Sequence, residues 1–265
     1  MKSTSDVAVV SPPAAHAPSI GTEGRRHDRT IAFDRPDVRI ARERLPADAT
    51  SDWHDHGDRE AYGAVLDGRL RIEYVNGGDG DGDGDGRGAV TVDADQFVRL
   101  PAGLRHRERA VGGPVELVVA YVADRSTGAD VPGVAADSEG TPQVAGESDL
   151  VPAGQLAGLT RLTPFPDAAV QLIRGHADGR IESTWHHHGD NEVFGHVLAG
   201  AGYVEWGTGE GERSLARAGD SFHVPVGLVH RDVNPDDAPQ DYLVWLVGSD
   251  PRTVPVDGPG PVGSD

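Results

Sequence analysis

The chain contains no cysteine, which excludes disulfides, thiolate metal ligands and a cysteine nucleophile. Any metal it binds must be held by histidine and carboxylate. Lysine is almost as scarce: Lys2 stands alone, and the other strongly basic side chains are arginines. No apolar run approaches the roughly 20 residues that a membrane-spanning helix needs. The opening stretch, MKSTSDVAVVSPPAAHAPSIG, carries a single lysine, a four-residue apolar patch and two adjacent prolines. That is not the pattern of a signal peptide. Residues 1–28 are therefore expected to form a disordered leader on a cytoplasmic protein.

What is abundant is acid, glycine and proline. The net charge is −19, a carboxylate surface that holds water and cations best at high ionic strength. A salt-rich, halophilic cytoplasm accounts for this better than an acid-loving partner would. A GC-rich genome is the rival explanation for the exchange of lysine for arginine. Either way the charge repels phosphates and argues against nucleic acid as a partner. With 36 glycines, 19 prolines and 37% apolar residues, the composition points to short strands and many turns.

The chain also repeats itself. A shift of 132 residues aligns Arg29 with Arg161, Phe33 with Phe165, Trp53 with Trp185, His54 with His186, Glu60 with Glu192 and Gly68 with Gly200. Past Tyr74 and Trp206 the shift becomes 124, which aligns Pro101 with Pro225, Gly103 with Gly227 and His106 with His230. The change falls at GGDGDGDGDGRG, residues 77–88. That run is rich in carboxylates but lacks the apolar residue that each turn of a calcium-binding roll needs, so a grown, solvated hairpin loop is expected there.

Each half has β-rich runs broken by Gly or Asp: residues 38–45, 62–75 and 115–123, then 169–175, 194–207 and 240–248. This spacing is that of a sandwich or barrel. The domains expected are 29–125 and 158–250, separated by a Gly/Pro/Ser-rich linker over 126–157 and followed by a tail from 251.

Four short motifs carry the chemistry. WHDHGDRE (53–60) and WHHHGDNE (185–192) both read His-x-His-x-x-x-Glu. On a strand, residues two apart share a face, so His54 pairs with His56 and His186 with His188. Glu60 and Glu192 follow at an even spacing that returns them to that face if the strand is regular. PAGLRH (101–106) and PVGLVH (225–230) then bring a third histidine back after a Pro-Gly turn. Three neutral imidazoles and a carboxylate suit a divalent metal: Fe, Mn, Co, Ni, Cu or Zn. Four ligands would leave positions open on a six-coordinate ion, a catalytic geometry more than a structural one.

These paired motifs resemble those of the cupin superfamily, and the duplication resembles a bicupin. The resemblance covers roughly residues 31–125 and 159–250. It implies an all-β fold of two tandem cupin jelly-roll barrels, with one metal in each. The implied ligands are His54, His56, Glu60 and His106 in the first barrel, and His186, His188, Glu192 and His230 in the second. The second half also keeps Gly219 and Asn234 around the downstream motif, where the first has Ala94 and Ala110. The better active site is expected in the second barrel.

Fold does not decide the reaction. Stepping by twos from each glutamate gives Tyr62 in the first barrel and Phe194 and His196 in the second, all expected to wall the pocket, with His223 nearby. Oxalate decarboxylases, which are bicupins, carry an arginine three residues before the first motif histidine; Ser51 and Ser183 stand there instead. The first expectation is an Fe(II)-type dioxygenase acting on a small organic molecule, with Glu192 as ligand and proton acceptor. A redox-neutral isomerase or epimerase using His196 as base is the alternative. The third reading is a non-catalytic, metal-containing small-molecule-binding protein. A homo-oligomer is compatible with all three.

Overall fold

A computed structural model describes residues 6–12, 27–75, 86–123, 140–207 and 212–259. Their regular structure is all strand but for one short 3₁₀ turn at Glu147–Asp149. No helix among them is long and apolar enough to cross a membrane. The chain divides into two compact units: Pro13–Asp149, and Leu150–Asp265 together with Met1–Pro12.

In the first unit, six antiparallel strands lie in the order Gln143–Ala145, Phe97–Leu100, Arg59–Asp67, Val115–Ala123, Val38–Leu45 and Asp28–Asp34. A second sheet orders Arg87–Asp93, Arg69–Val75 and Arg105–Ala110. Alternate residues of both sheets meet in a core that includes Ala41, Leu45, Ala61, Val65, Leu70, Ile72, Leu117 and Val119. The period-two pattern of a strand gives each sheet one face to contribute to it. The second unit repeats this jelly roll. Its large sheet runs Ala8–Val10, Ser221–Val224, Glu192–Ala199, Gln240–Val247, Gln171–Ala177, Leu159–Thr163 and Val151–Pro152. Its small sheet runs Glu212–Arg217, Ala201–Trp206, His230–Asn234, His186–His187 and Val254–Pro255. The fold is thus all-β, two jelly-roll barrels in tandem.

Gly68 and Gly200 turn the sharpest corners. Each has positive φ, 82° and 74°, and a Cβ would lie 2.1 Å and 2.4 Å from the carbonyl oxygens of Pro114 and Pro239. Only glycine meets both demands, which is why Leu-Asp-Gly and Leu-Ala-Gly end one strand and start the next.

Three boundaries differ from the sequence reading. The leader is not wholly disordered: Ala8–Val10 pairs with Ser221–Val224 of the second barrel, and Val7 is buried in that barrel's core. The expected linker contains Gln143–Ala145, an edge strand on Phe97–Leu100 of the first barrel. The expected tail contains Val254–Pro255, paired with His186–His187. All three segments are short and flanked by Gly, Pro or Ser, so only their pairing marks them as structure. The Gly-Asp loop falls, apart from residues 86–88, outside the described residues.

Candidate metal centres

The turn after each strand sets the histidines. In PAGLRH, Gly103 takes φ 69° and Leu104 N donates to Pro101 O at 3.3 Å. His106 then enters a strand and bridges to His54. The second barrel repeats this through Gly227, also at φ 69°, and His230 pairs with His186. The results are two three-imidazole clusters. Ring centroids are 4.6 Å (His54–His106), 4.7 Å (His56–His106) and 5.3 Å (His54–His56) apart. In the second they are 4.3 Å (His186–His230), 5.1 Å (His186–His188) and 5.2 Å (His188–His230).

The hydrogen bonds fix which nitrogen is free. Nδ1 of His54, His106, His186, His188 and His230 lies 2.8–3.0 Å from a backbone carbonyl: Asp52, Leu104, Thr184, Arg252 and Leu228 respectively. A carbonyl accepts only, so Nδ1 carries the proton and the Nε2 lone pair is left to a metal. His56 Nε2 is buried with no hydrogen-bond partner, a costly arrangement that an ion would relieve. The donor sets thus fit a divalent cation: His54, His56 and His106 with Glu108, and His186, His188 and His230.

Glu60 and Glu192 are not among them. Glu60 Oε1 accepts from Arg99 Nη2 at 2.6 Å, and its other oxygen accepts from the Tyr62 hydroxyl. Glu192 Oε1 lies 3.1 Å from His223 Nε2. Both belong to the sheet face turned away from the cavity. Glu60 pairs with Val122 and Glu192 with Val247, whereas Ala61 faces inward opposite Tyr121, and Val193 opposite Leu246. The cause is the intervening turn at Gly57 and Gly189, φ 63° and 59°, after which strand alternation starts afresh. Tyr62, Phe194, His196 and His223 follow the same parity and also lie off the cavity wall. Phe194 packs on the His223 ring, centroids 4.8 Å apart, and His196 Nδ1 lies 3.0 Å from Ser221 Oγ.

The carboxylate comes instead from two residues past the last histidine. Glu108 Oε1 is 3.2 Å from His106 Nε2 and 3.7 Å from His54 Nε2. Ser51 Oγ donates to its Oε2 at 2.6 Å. Burial opposes the charge on Glu108, but His106, His54 and Ser51 outweigh it and hold the carboxyl below its ordinary range. Asp232 occupies the matching place. One methylene shorter, it stands 4.0 Å from His186 Nε2, and burial raises its pKa. His-x-Glu and His-x-Asp have the same-face spacing as His-x-His, so this signal was present in the sequence. The neighbours Arg107 and Arg231 point outward, stacked on Trp53 and Trp185 at 5.0 Å and 4.9 Å. Ser51 and Ser183 pin the carboxylate-bearing strands, each accepting a backbone N–H at 2.9 Å, from Glu108 and Asp232.

The second centre is the more enclosed. The His54 side chain is 36% exposed, whereas His186, His188 and His230 are all buried. The second cavity measures about 40 Å³ against about 20 Å³ in the first. Burial first, then the neighbouring imidazole charge, pushes His186 down to about 2 and His56 to about 3. These folded values lie below the ordinary histidine value of about 6.5, so the unfolded chain binds more protons. Metal-free protein should therefore hold its stability above about pH 6.5 and lose it as pH falls below. His186 alone contributes about 1.4 kcal/mol per pH unit there. Denaturation of chelated protein between pH 8 and 5 measures this; stability unchanged across that range would contradict it.

Comparison with known proteins agrees with this picture. Residues 176–246 match the family model of the cupin domain. No curated protein matches the chain significantly. Among solved structures, a formate complex of oxalate decarboxylase from Lactobacillus farciminis superposes with a TM-score of 0.70 at 15% identity, covering 97% of this chain and 90% of that one. Bacillus subtilis oxalate decarboxylase at pH 4.6 gives 0.71 at 14% identity, covering 97% and 80%. At that identity the likeness shows the fold.

Proposed function

With a cupin domain as its second barrel, we propose that this chain is a divalent-metal-dependent enzyme working in that barrel, an Fe(II)-type dioxygenase acting on a small organic molecule. The observation that carries the reading is the set of three buried imidazoles, tautomers fixed through Nδ1, at a cavity with its carboxylate standing back. His186, His188 and His230 would hold the ion through Nε2. Iron suits such a donor set, and the ion would supply the redox chemistry by which O₂ reacts with an organic molecule. The chain's own part is to bind, orient and keep water out. Val193, Val204, Phe222, Val224 and Val244 give the cavity apolar walls, and a dry site strengthens every polar contact made in it. The first barrel, with the smaller cavity and Glu108 within its ligand set, would hold its ion as support for the fold.

The isomerase alternative loses its base, since His196 faces away from the cavity. Oxygen consumption decides the rest. Full-length protein loaded with Fe(II) and offered a panel of small diketones and acids should consume O₂ in step with product. A loaded protein that converts a substrate without O₂ would overturn the dioxygenase reading, and one that binds without converting would make the chain a binding protein.

A further inference from the structure

The two barrels treat one aligned arginine differently. In each large sheet a row of directly paired residues crosses four strands. In the first barrel the row is Arg29, Glu43, Leu117 and Val65. In the second it is Arg161, Gly175, Tyr242 and Val197. Arg29 is neutralised where it stands: its Nε lies 2.6 Å from Glu43 Oε1. Glu43 also accepts from the Tyr121 hydroxyl at 2.8 Å and lies 2.7 Å from His27 Nε2.

In the second barrel that glutamate is a glycine. A Cβ at Gly175 would stand 2.1 Å from the Tyr242 ring, so a phenol fills the space beside the arginine. Arg161 is only 7% exposed and donates from Nη1 to Thr253 Oγ1 at 2.8 Å. Among the described residues it forms no ion pair. Arg161, Tyr242 and the three histidines line one cavity. Burial lowers the pKa of Arg161, yet a guanidinium does not give up its proton in a protein. Asp232 lines the same cavity and attracts the guanidinium but makes no ion pair with it, so the contact that Glu43 gives Arg29 in the first barrel is left to a ligand in the second. A buried charge without a hydrogen-bonded counter-charge is costly, and an anion that pairs directly with the guanidinium lowers that cost.

We infer that Arg161 and Tyr242 form a carboxylate-binding subsite of the second barrel, so that its substrate is a small organic acid. The planar guanidinium matches a carboxylate with two parallel hydrogen bonds, and the phenol supplies a further donor. The acid's other end then faces the Nε2 atoms of His186, His188 and His230. A cavity of about 40 Å³ takes on the order of three or four water-sized groups, the bulk of an acid of about two or three carbons. This rests on the metal-site reading above for the reaction, though not for the binding.

The test is calorimetric titration of full-length protein, metal-loaded and chelated, with acetate and its neutral analogue acetamide. Wild type should bind acetate at least about tenfold more tightly than acetamide, the worth of a charged hydrogen-bonded pair. Arg161→Gln should bring acetate down to the acetamide level with the ion content unchanged, and Arg161→Lys should keep part of the preference. A purely structural arginine, tying Thr253 in place, would change the melting temperature and leave the acetate-to-acetamide ratio alone. That outcome overturns the proposal, as does a wild type with no preference for acetate, a comparison that needs no variant to fold. Should the second barrel hold no ion while an Arg161-dependent preference persists, the metal reading fails and the subsite stands. An ion bound without any anion preference is the reverse.

Discussion

His188→Ala should remove about one divalent ion per chain and all turnover, while His56→Ala removes the other ion and leaves turnover in the second barrel. Wild type, loaded to saturation, should hold about two. Each variant deletes one of the few donors in its own cluster and touches nothing in the other. Structural metal sites release roughly 10–16 kcal/mol on binding, so one ligand of three or four is worth about 3 kcal/mol or more, a loss of affinity of about a hundredfold or more. The effect is larger at His188, because its Nδ1 is anchored 3.0 Å from Arg252 O and its ring is buried. Elemental analysis after loading with Fe, Mn, Co, Ni or Zn measures both variants. Ion content equal to wild type in the two of them would remove the metal reading. Loss of both ions from either one would mean that the sites are not independent.

The histidines were legible in the sequence because their geometry is local. His-x-His needs only strand alternation, and Pro-x-Gly-x-x-His needs only a turn, with Gly103 and Gly227 taking the φ that the turn demands. The barrels were legible because the repeat aligned strand with strand. The glutamates were misread because their orientation depends on how the chain leaves the turn at Gly57 and Gly189, and residue spacing does not record that. An even spacing predicts a shared face only across unbroken strand. The same parity carries Tyr62, Phe194 and His196 to the outer face, and His223, paired with Phe194, goes with them.

The arginine is plain in the sequence, but its setting is not. Arg29 and Arg161 align in the repeat but lie outside the four histidine motifs. What makes Arg161 distinctive is a difference between the halves: glycine for Glu43, which the 132-residue shift already aligns, and tyrosine for Leu117, a match that emerges only once strand register pairs Gly175 with Tyr242. Short edge strands such as Ala8–Val10 were missed for a related reason: three residues carry no period, and their partners lie far along the chain.

The strand parity yields the sharpest result to expect from mutation. Glu192→Gln should leave the ion content of the second barrel at the wild-type level, and Glu60→Gln that of the first, whereas Glu108→Gln should empty the first barrel. Glu60 and Glu192 sit on the sheet face opposite the histidines, engaged with Arg99 and His223. Removing their charge weakens those pairs and lowers stability by about 1 kcal/mol, a partly buried hydrogen bond's worth. Glu108 is different in kind, since its Oε1 stands among the imidazoles at 3.2 Å and 3.7 Å and an amide is a far poorer donor to a hard cation. Asp232→Asn should fall between these, weakening the second ion by about tenfold, because a carboxylate 4.0 Å from His186 Nε2 acts on the ion mainly through its charge. Titration of each chelated variant with metal, beside a melting curve, separates the two effects. If Glu192→Gln empties the second barrel while Asp232→Asn binds as wild type does, the carboxylate ligand is the one on the histidine motif itself, and the strand from Glu192 to Ala199 must turn over when the ion arrives.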